Sequence, residues 1–336
     1  MTFQSRKKNI KPIAILTALL LATPAFAQPR TVGGLPEESV TVVGVKPSQQ
    51  TIRDFVETRV ARSRTLGKVA RWDAQVCPLT VGLRADYARY ISKRIREVAA
   101  AVGAPVNSDP GCRANIEVDF TATPQDLMDS VRKKQPLFVG YFQNLDEANR
   151  LAQVTHPLQA WYTTQTADFY NNKVIDNGRC GLGDTTSLSP VTSPSTTEVT
   201  DMFTAPGVKS PSLPCATVAH VSHSRLNNGL NTAFYNVLVV AEPAKLLDHE
   251  IGSLADYIAM MALSQPASLD SCQELPSISN MLAPGCATVP TRITDGDLAY
   301  LRALYRTVDG SAFVTQRNYM RGEMYKTLVT DKGGPG

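Results

Sequence analysis

The stretch AFYNVLVVAE, residues 233–242, constrains the fold more than any other feature of the chain. A nearly continuous apolar run of this length suits a strand in the interior of a sheet. It leads into DHEIGSLADYIAMMALSQ, residues 248–265. There Ile251, Leu254, Ala255, Ile258, Met261 and Ala262 form one apolar stripe at helical spacing, with Asp248 placed to cap its start. An interior strand followed by a core helix fits an α+β protein.

Other segments agree with that class. A strand is expected around Cys77 to Leu83, then a long amphipathic helix carrying Tyr87, Ile91, Ile95, Val98 and Val102, with Gly103 placed to end it. In ANIEVDF, Ile116, Val118 and Phe120 alternate with Glu117 and Asp119 as in a half-buried strand. Thr123 followed by Pro124 is a helix start. PLFVGYF and LQAWYTTQT read as further strands, as does ATVAHVSHSRL ahead of residue 233. Residues 28–70 read as an N-terminal extension, with a short strand in SVTVVGV and a charged helix in TIRDFVETRVARS. The α+β domain is expected over 71–310, and a C-terminal helix and tail over 311–336. Within the domain, 181–214 is rich in Ser, Thr and Pro and reads as a surface loop, a segment of a kind that can also serve as a lid.

Composition bears mainly on compartment. Residues 1–27 carry Arg6, Lys7, Lys8 and Lys11, an apolar run, and the small-x-small triplet Ala25, Phe26, Ala27. This predicts a secretory signal peptide cleaved to leave Gln28 first, because the run is shorter than the roughly 20 residues a membrane span needs. Of 34 basic residues those four leave with the peptide, so 30 face the 30 acidic ones and the mature chain is formally neutral. Such a balance gives no reason to expect nucleic acid as a partner, and no membrane span is expected after cleavage. Cys77, Cys112, Cys180, Cys215, Cys272 and Cys286 all lie in the mature part. An even count in an exported chain reads as disulfides, nearest-neighbour pairing being the simplest arrangement. The expected location is the periplasm or the extracellular medium.

His249 followed by Glu250 is the one chemical signal in the central helix. The stretch resembles the zinc-binding helix of zincin proteases of the matrixin or metzincin type. There two histidines four residues apart bind one zinc and the intervening glutamate activates its water. The position four after His249 is Ser253, a poor ligand; the next expected glycine is Asp256, and the expected third histidine is Ala259. The resemblance continues downstream. Ser277, Ile278, Ser279, Asn280 and Met281 are similar to the family's Met-containing turn. Ile293, Thr294, Asp297, Leu301, Leu304 and Tyr305 are similar to its last helix, with Thr294 and Asp297 forming a capping box. It covers residues 71–306 and implies a zincin-like fold whose metal site is lost or rebuilt. The chain is also similar to uncharacterised exported proteins of Gram-negative bacteria.

Two roles follow from these residues. The first is a non-catalytic zincin-like binding or structural protein, a pseudoenzyme that needs no cofactor. The alternative is a metal-dependent peptidase in which His249 and His220 or His223 hold zinc and Glu250 is the general base. His220 and His223 would point to opposite faces of a strand, which argues against joint chelation. Ser130 to Lys133 match an SxxK pattern, but late in a charged helix where that chemistry does not sit. His156, Trp161, Tyr162, Phe169 and Tyr170 form an aromatic cluster, read either as packed core or as a surface for a protein, peptide or glycan partner.

Overall fold

A computed structural model describes residues 46–109, 111–168, 170–176 and 228–330. The expected signal peptide, the strand in SVTVVGV, the 181–214 loop, Cys180, Cys215, Phe169, His220 and His223 lie outside these residues.

The described residues form a mixed six-stranded sheet with helices, an α+β arrangement. β2 (Pro78–Val81), β3 (Ile116–Phe120), β6 (Asn231–Ala241), β4 (Leu158–Ala167) and β5 (Lys173–Ile175) lie in that order, and β1 (Ala70–Arg71) pairs with β6. β1, β2, β3 and β6 are parallel, whereas β4 is antiparallel to both β6 and β5. The apolar run of β6 is explained by two covered faces. Phe234, Val237, Val239 and Ala241 face the main core, while Leu238 and Val240 join a smaller one.

Over the main face lie α1 (Gln49–Arg59), α2 (Ala85–Val102), α5 (Ile251–Leu263), α6 (Asp295–Tyr305) and α7 (Phe313–Tyr325). Over the other lie α3 (Pro124–Lys134), α4 (Leu145–Leu151) and a 3-10 turn at Pro136–Val139. α1 belongs to the core: Ile52, Phe55 and Val56 are buried, and Phe55 meets Tyr300 of α6 edge to face at 5.7 Å.

The helix signals hold in α2, which buries Ile91, Ile95, Val98 and Val102 and ends at Gly103 in the left-handed conformation (φ 83°). Tyr87 departs from the expected stripe; it is exposed, with the Arg84 guanidinium 4.5 Å from its ring centre. PLFVGYF is not a strand. Gln135 ends α3, the chain makes the 3-10 turn, and Gly140 then takes φ 94°. A Cβ at Gly140 would stand 2.8 Å from the Tyr162 carbonyl oxygen, so β4 passes too close for another residue type.

Disulfides join Cys77 to Cys112 and Cys272 to Cys286. No helix among the described residues is long and apolar enough to cross a membrane.

Candidate functional site

α5 follows the carboxyl end of β6 through a 3-10 turn at Pro243–Lys245. The Leu246 carbonyl accepts from the His249 amide at 3.1 Å, which keeps residues 247–249 in a turn. The helix therefore begins at Ile251, with Glu250 in the extended conformation at its N-cap and giving no side-chain cap. This corrects the sequence expectation. Asp248 does not cap the helix, and the His249–Glu250 pair precedes the first turn instead of occupying a helical face. His249 is half-buried and Glu250 exposed, and neither side chain makes a hydrogen bond or ion pair among the described residues.

The rest of α5 is buried on every side from Ser253 to Leu263, so the expected single stripe understates its burial. α2 runs alongside in the same direction, since Tyr90 stands by Gly252 and Arg94 by Asp256. Asp256 is only 2 % exposed, and its carboxylate is shared between the Arg94 Nε and the Ile293 amide, the latter at 2.8 Å. The Asp256 hydrogen bond raises the Arg94 pKa further above its ordinary value. Asp256 thus ties α5 both to α2 and to the segment leading into α6.

At its far end α5 would leave carbonyls without partners in a dry interior, the usual difficulty of a buried helix terminus. Aromatic side chains supply the donors. Tyr162 Oη donates to the Met261 carbonyl at 2.9 Å, Trp72 Nε1 to Ala262 at 2.9 Å, and Tyr305 Oη to Leu263 at 2.9 Å. Burial pushes the Tyr162 and Tyr305 phenols up, keeping both as donors.

Ser277 to Met281 form a 3-10 turn over Ile278–Met281. Asp297, fully buried, receives the Ser277 hydroxyl, the Ile278 amide at 2.8 Å, and the Thr294 amide and hydroxyl at 3.0 Å each. The capping box read from Thr294 and Asp297 is present, and the same carboxylate also closes the turn. Burial raises its pKa, opposed by these donors. Asn280 exchanges hydrogen bonds with the Gln273 backbone at 2.8 and 2.9 Å, fixing the turn beside the Cys272–Cys286 loop.

These residues do not compose a zinc site. One imidazole outside the helix, a buried Ser253, an Asp256 committed to Arg94 and an Ala259 without a donor atom supply no convergent ligand set. No group of three or more metal-binding side chains occurs among the described residues.

The remaining candidates are dispersed. The His156 ring bonds Thr155 Oγ1 at 2.8 Å through Nδ1 and Asp270 Oδ1 at 3.0 Å through Nε2. Ser130 and Lys133 lie in the second half of α3. Trp161 packs in the smaller core and Tyr162 against the main one, whereas Tyr170 is 70 % exposed. A cavity of about 170 Å³ beside Trp161 is lined by Arg64, Tyr141 and Gln159 among others. Another of about 280 Å³, at the C-terminal end of α2, is lined by Arg302, Tyr305 and Arg306. Neither includes His249 or Glu250.

Comparison of the chain with protein-family models, with curated proteins and with solved structures finds no match.

Two charged residues of evident weight escaped the sequence reading. In the sequence Asp256 stands only as a departure from the expected glycine. Arg59 is 2 % exposed on the face that also buries Ile52, Phe55 and Val56. Its signal was the spacing itself, since Ile52, Phe55, Val56 and Arg59 fall at i, i+3, i+4 and i+7.

Proposed function

We propose that this chain is an exported, disulfide-bonded protein with a zincin-like fold that acts by binding or structural support and not by metal-assisted hydrolysis. The order of elements supports the fold: strand β2, long helix α2, strand β3, antiparallel β4, central strand β6, helix α5, a turn ending in Met281, and the box-capped α6. The two disulfides fit an oxidising compartment.

The observation that carries the non-catalytic role is Asp256. In the zincin pattern this position lies between the second and third ligands, and here it holds a buried carboxylate that fastens α5 to its neighbours. A helix face used for fastening has little freedom to present ligands as well.

The test is the metal content of mature protein purified from the periplasm without chelator or nickel, paired with a peptidase assay. Folded protein without stoichiometric zinc and without cleavage is the expected result. About one zinc per chain, lost in His249→Ala together with peptide cleavage, would overturn the proposal. That outcome is the forecast of the second reading, in which His249 and Glu250 work with His220 or His223. It is favoured by one observation, that neither His249 nor Glu250 is engaged by another side chain among the described residues.

A further inference from the structure

β5 is a short edge strand of three half-buried residues, paired in the sheet with β4 alone. An edge of this kind can open without the rest of the domain. The hairpin that joins it to β4 is closed at two points. At the turn, the Asp168 carboxylate accepts from the amides of Tyr170 and Asn172 at 2.9 and 2.8 Å and from the Asn172 side chain at 2.9 Å. At the other end, the Asp176 amide donates to the Thr164 carbonyl at 2.9 Å. The Asp176 carboxylate takes the Thr166 hydroxyl on Oδ1 at 2.8 Å and the Thr164 hydroxyl on Oδ2 at 2.6 Å. Thr164 and Thr166 stand two apart on β4 and so share a face.

Asp176 is 4 % exposed, and it makes no ion pair among the described residues. β4 carries no Asp, Glu, Lys, Arg or His. On β5, Lys173 is paired with Asp73 at 2.7 Å. On the segment before β1, Arg64 pairs with Glu147, and Lys68 is held by Asn228, Leu230 and Gly310. A carboxylate closed from water with hydroxyls as its partners is disfavoured as an ion. The neutral acid keeps both contacts, because a threonine hydroxyl donates to its carbonyl oxygen as well as accepting from its O–H. Burial accordingly raises the Asp176 pKa above 3.8, with the two hydroxyl bonds opposing.

We propose that Asp176 is a proton-operated latch on the β4–β5 hairpin: the neutral carboxyl holds β5 on β4, and its ionisation lets the strand open from the Asp176 end while the turn at Asp168 stays closed. In the opened strand the carboxyl faces water and binds its proton less tightly than in the closed one. Below 3.8 the latch is therefore fully set. From there to the raised pKa each pH unit favours opening, by at most tenfold for a single proton, and beyond it the effect levels off. The latch is independent of His249 and Glu250 and of any peptidase or binding role.

The test uses the full mature protein with its disulfides intact. Amide exchange at Asp176 and Val174, divided by the rates of an unstructured peptide, is followed by NMR from pH 4 to 7. Protection at both should fall as pH rises and should stay well below that of Val239 in the central strand β6, since the opening is local. Asp176→Asn, which cannot ionise, should remove the fall. Should that variant not fold, Thr166→Val takes away one bond that favours the ion and should move the fall to higher pH. Protection that is level or rises with pH in the parent would overturn the proposal. So would a fall that persists in Asp176→Asn, which would assign it to Asp73 or Asp168, or protection at Asp176 equal to that at Val239, which would make the opening global.

Discussion

The Arg94–Asp256 pair should be asymmetric when broken, because its two ends differ in access to water. The Asp256 side chain is 3 % exposed and the Arg94 side chain 29 %. Arg94→Met strands a carboxylate in the interior with the Ile293 amide at 2.8 Å as its remaining partner. Removing one partner of a buried pair costs about 3–5 kcal/mol. Partial exposure of the arginine weakens the attraction lost, so about 2–4 kcal/mol is expected here. In Asp256→Asn the amide oxygen can still accept from Ile293, while Arg94 turns toward solvent and Glu97, whose carboxylate already lies 3.4 Å away. That change should cost only about 1–2 kcal/mol. The double variant should be more stable than the sum of the single losses predicts, by about 1–2 kcal/mol, since the stranded charge is gone. Urea denaturation of the oxidised protein at neutral pH measures all three, with urea preferred because a salt denaturant screens the pair. Equal losses in the two single variants, a larger loss in Asp256→Asn, or strict additivity would refute the reasoning.

Gly82 takes φ 81°, and a Cβ there would stand 1.9 Å from the Phe120 carbonyl oxygen. Gly82→Ala should therefore cost about 3 kcal/mol or more, as core overpacking at its most severe does, read as a lower melting temperature or as failure to accumulate folded protein. Cys272 and Cys286 close a 14-residue separation, so replacing both by Ser should lower stability by about 3 kcal/mol in urea. Lys68 donates to the Asn228 side chain and to the carbonyls of Leu230 and Gly310, yet desolvation lowers its pKa from 10.5 to about 8, with Asp309 opposing. The unfolded chain then binds more protons than the folded one between those values, so this lysine makes stability rise with pH from about 8 toward 10.5. Allowing for solvent screening, the gain is about 1–2 kcal/mol. Subtracting a Lys68→Met profile from that of the parent should isolate it; a flat or falling difference would contradict it.

What the sequence made legible was mostly local. α2, β3, β6 and α6 each carry their own evidence, in the spacing of apolar residues, in Gly103, or in the Thr294–Asp297 box. The expectation failed where a contact that residue type and spacing do not encode decides. Pro136 to Val139 are apolar enough for a strand, but the close pass of Tyr162 at Gly140 forces a turn. Asp248 is as good a cap as any by residue type, and the Leu246–His249 turn moves it out of position. Nothing local announces that Asp256 would find Arg94, 162 residues away in the chain. Arg59 is the opposite case, a residue whose periodic position marked it as interior while its charge argued for the surface.

The aromatic clamp on the end of α5 makes that helix hold unequally along its length. Met261, Ala262 and Leu263 are anchored by side chains from β4, α6 and the segment after β1, whereas the first turn begins without a side-chain cap. Amide exchange should follow this gradient, with Ile251 and Gly252 exchanging through fraying and Met261 to Leu263 only when the whole domain opens. Residues 247–250 sit at the permissive end of that gradient. Evolution could rewrite them, histidine and glutamate included, without disturbing the helix behind them.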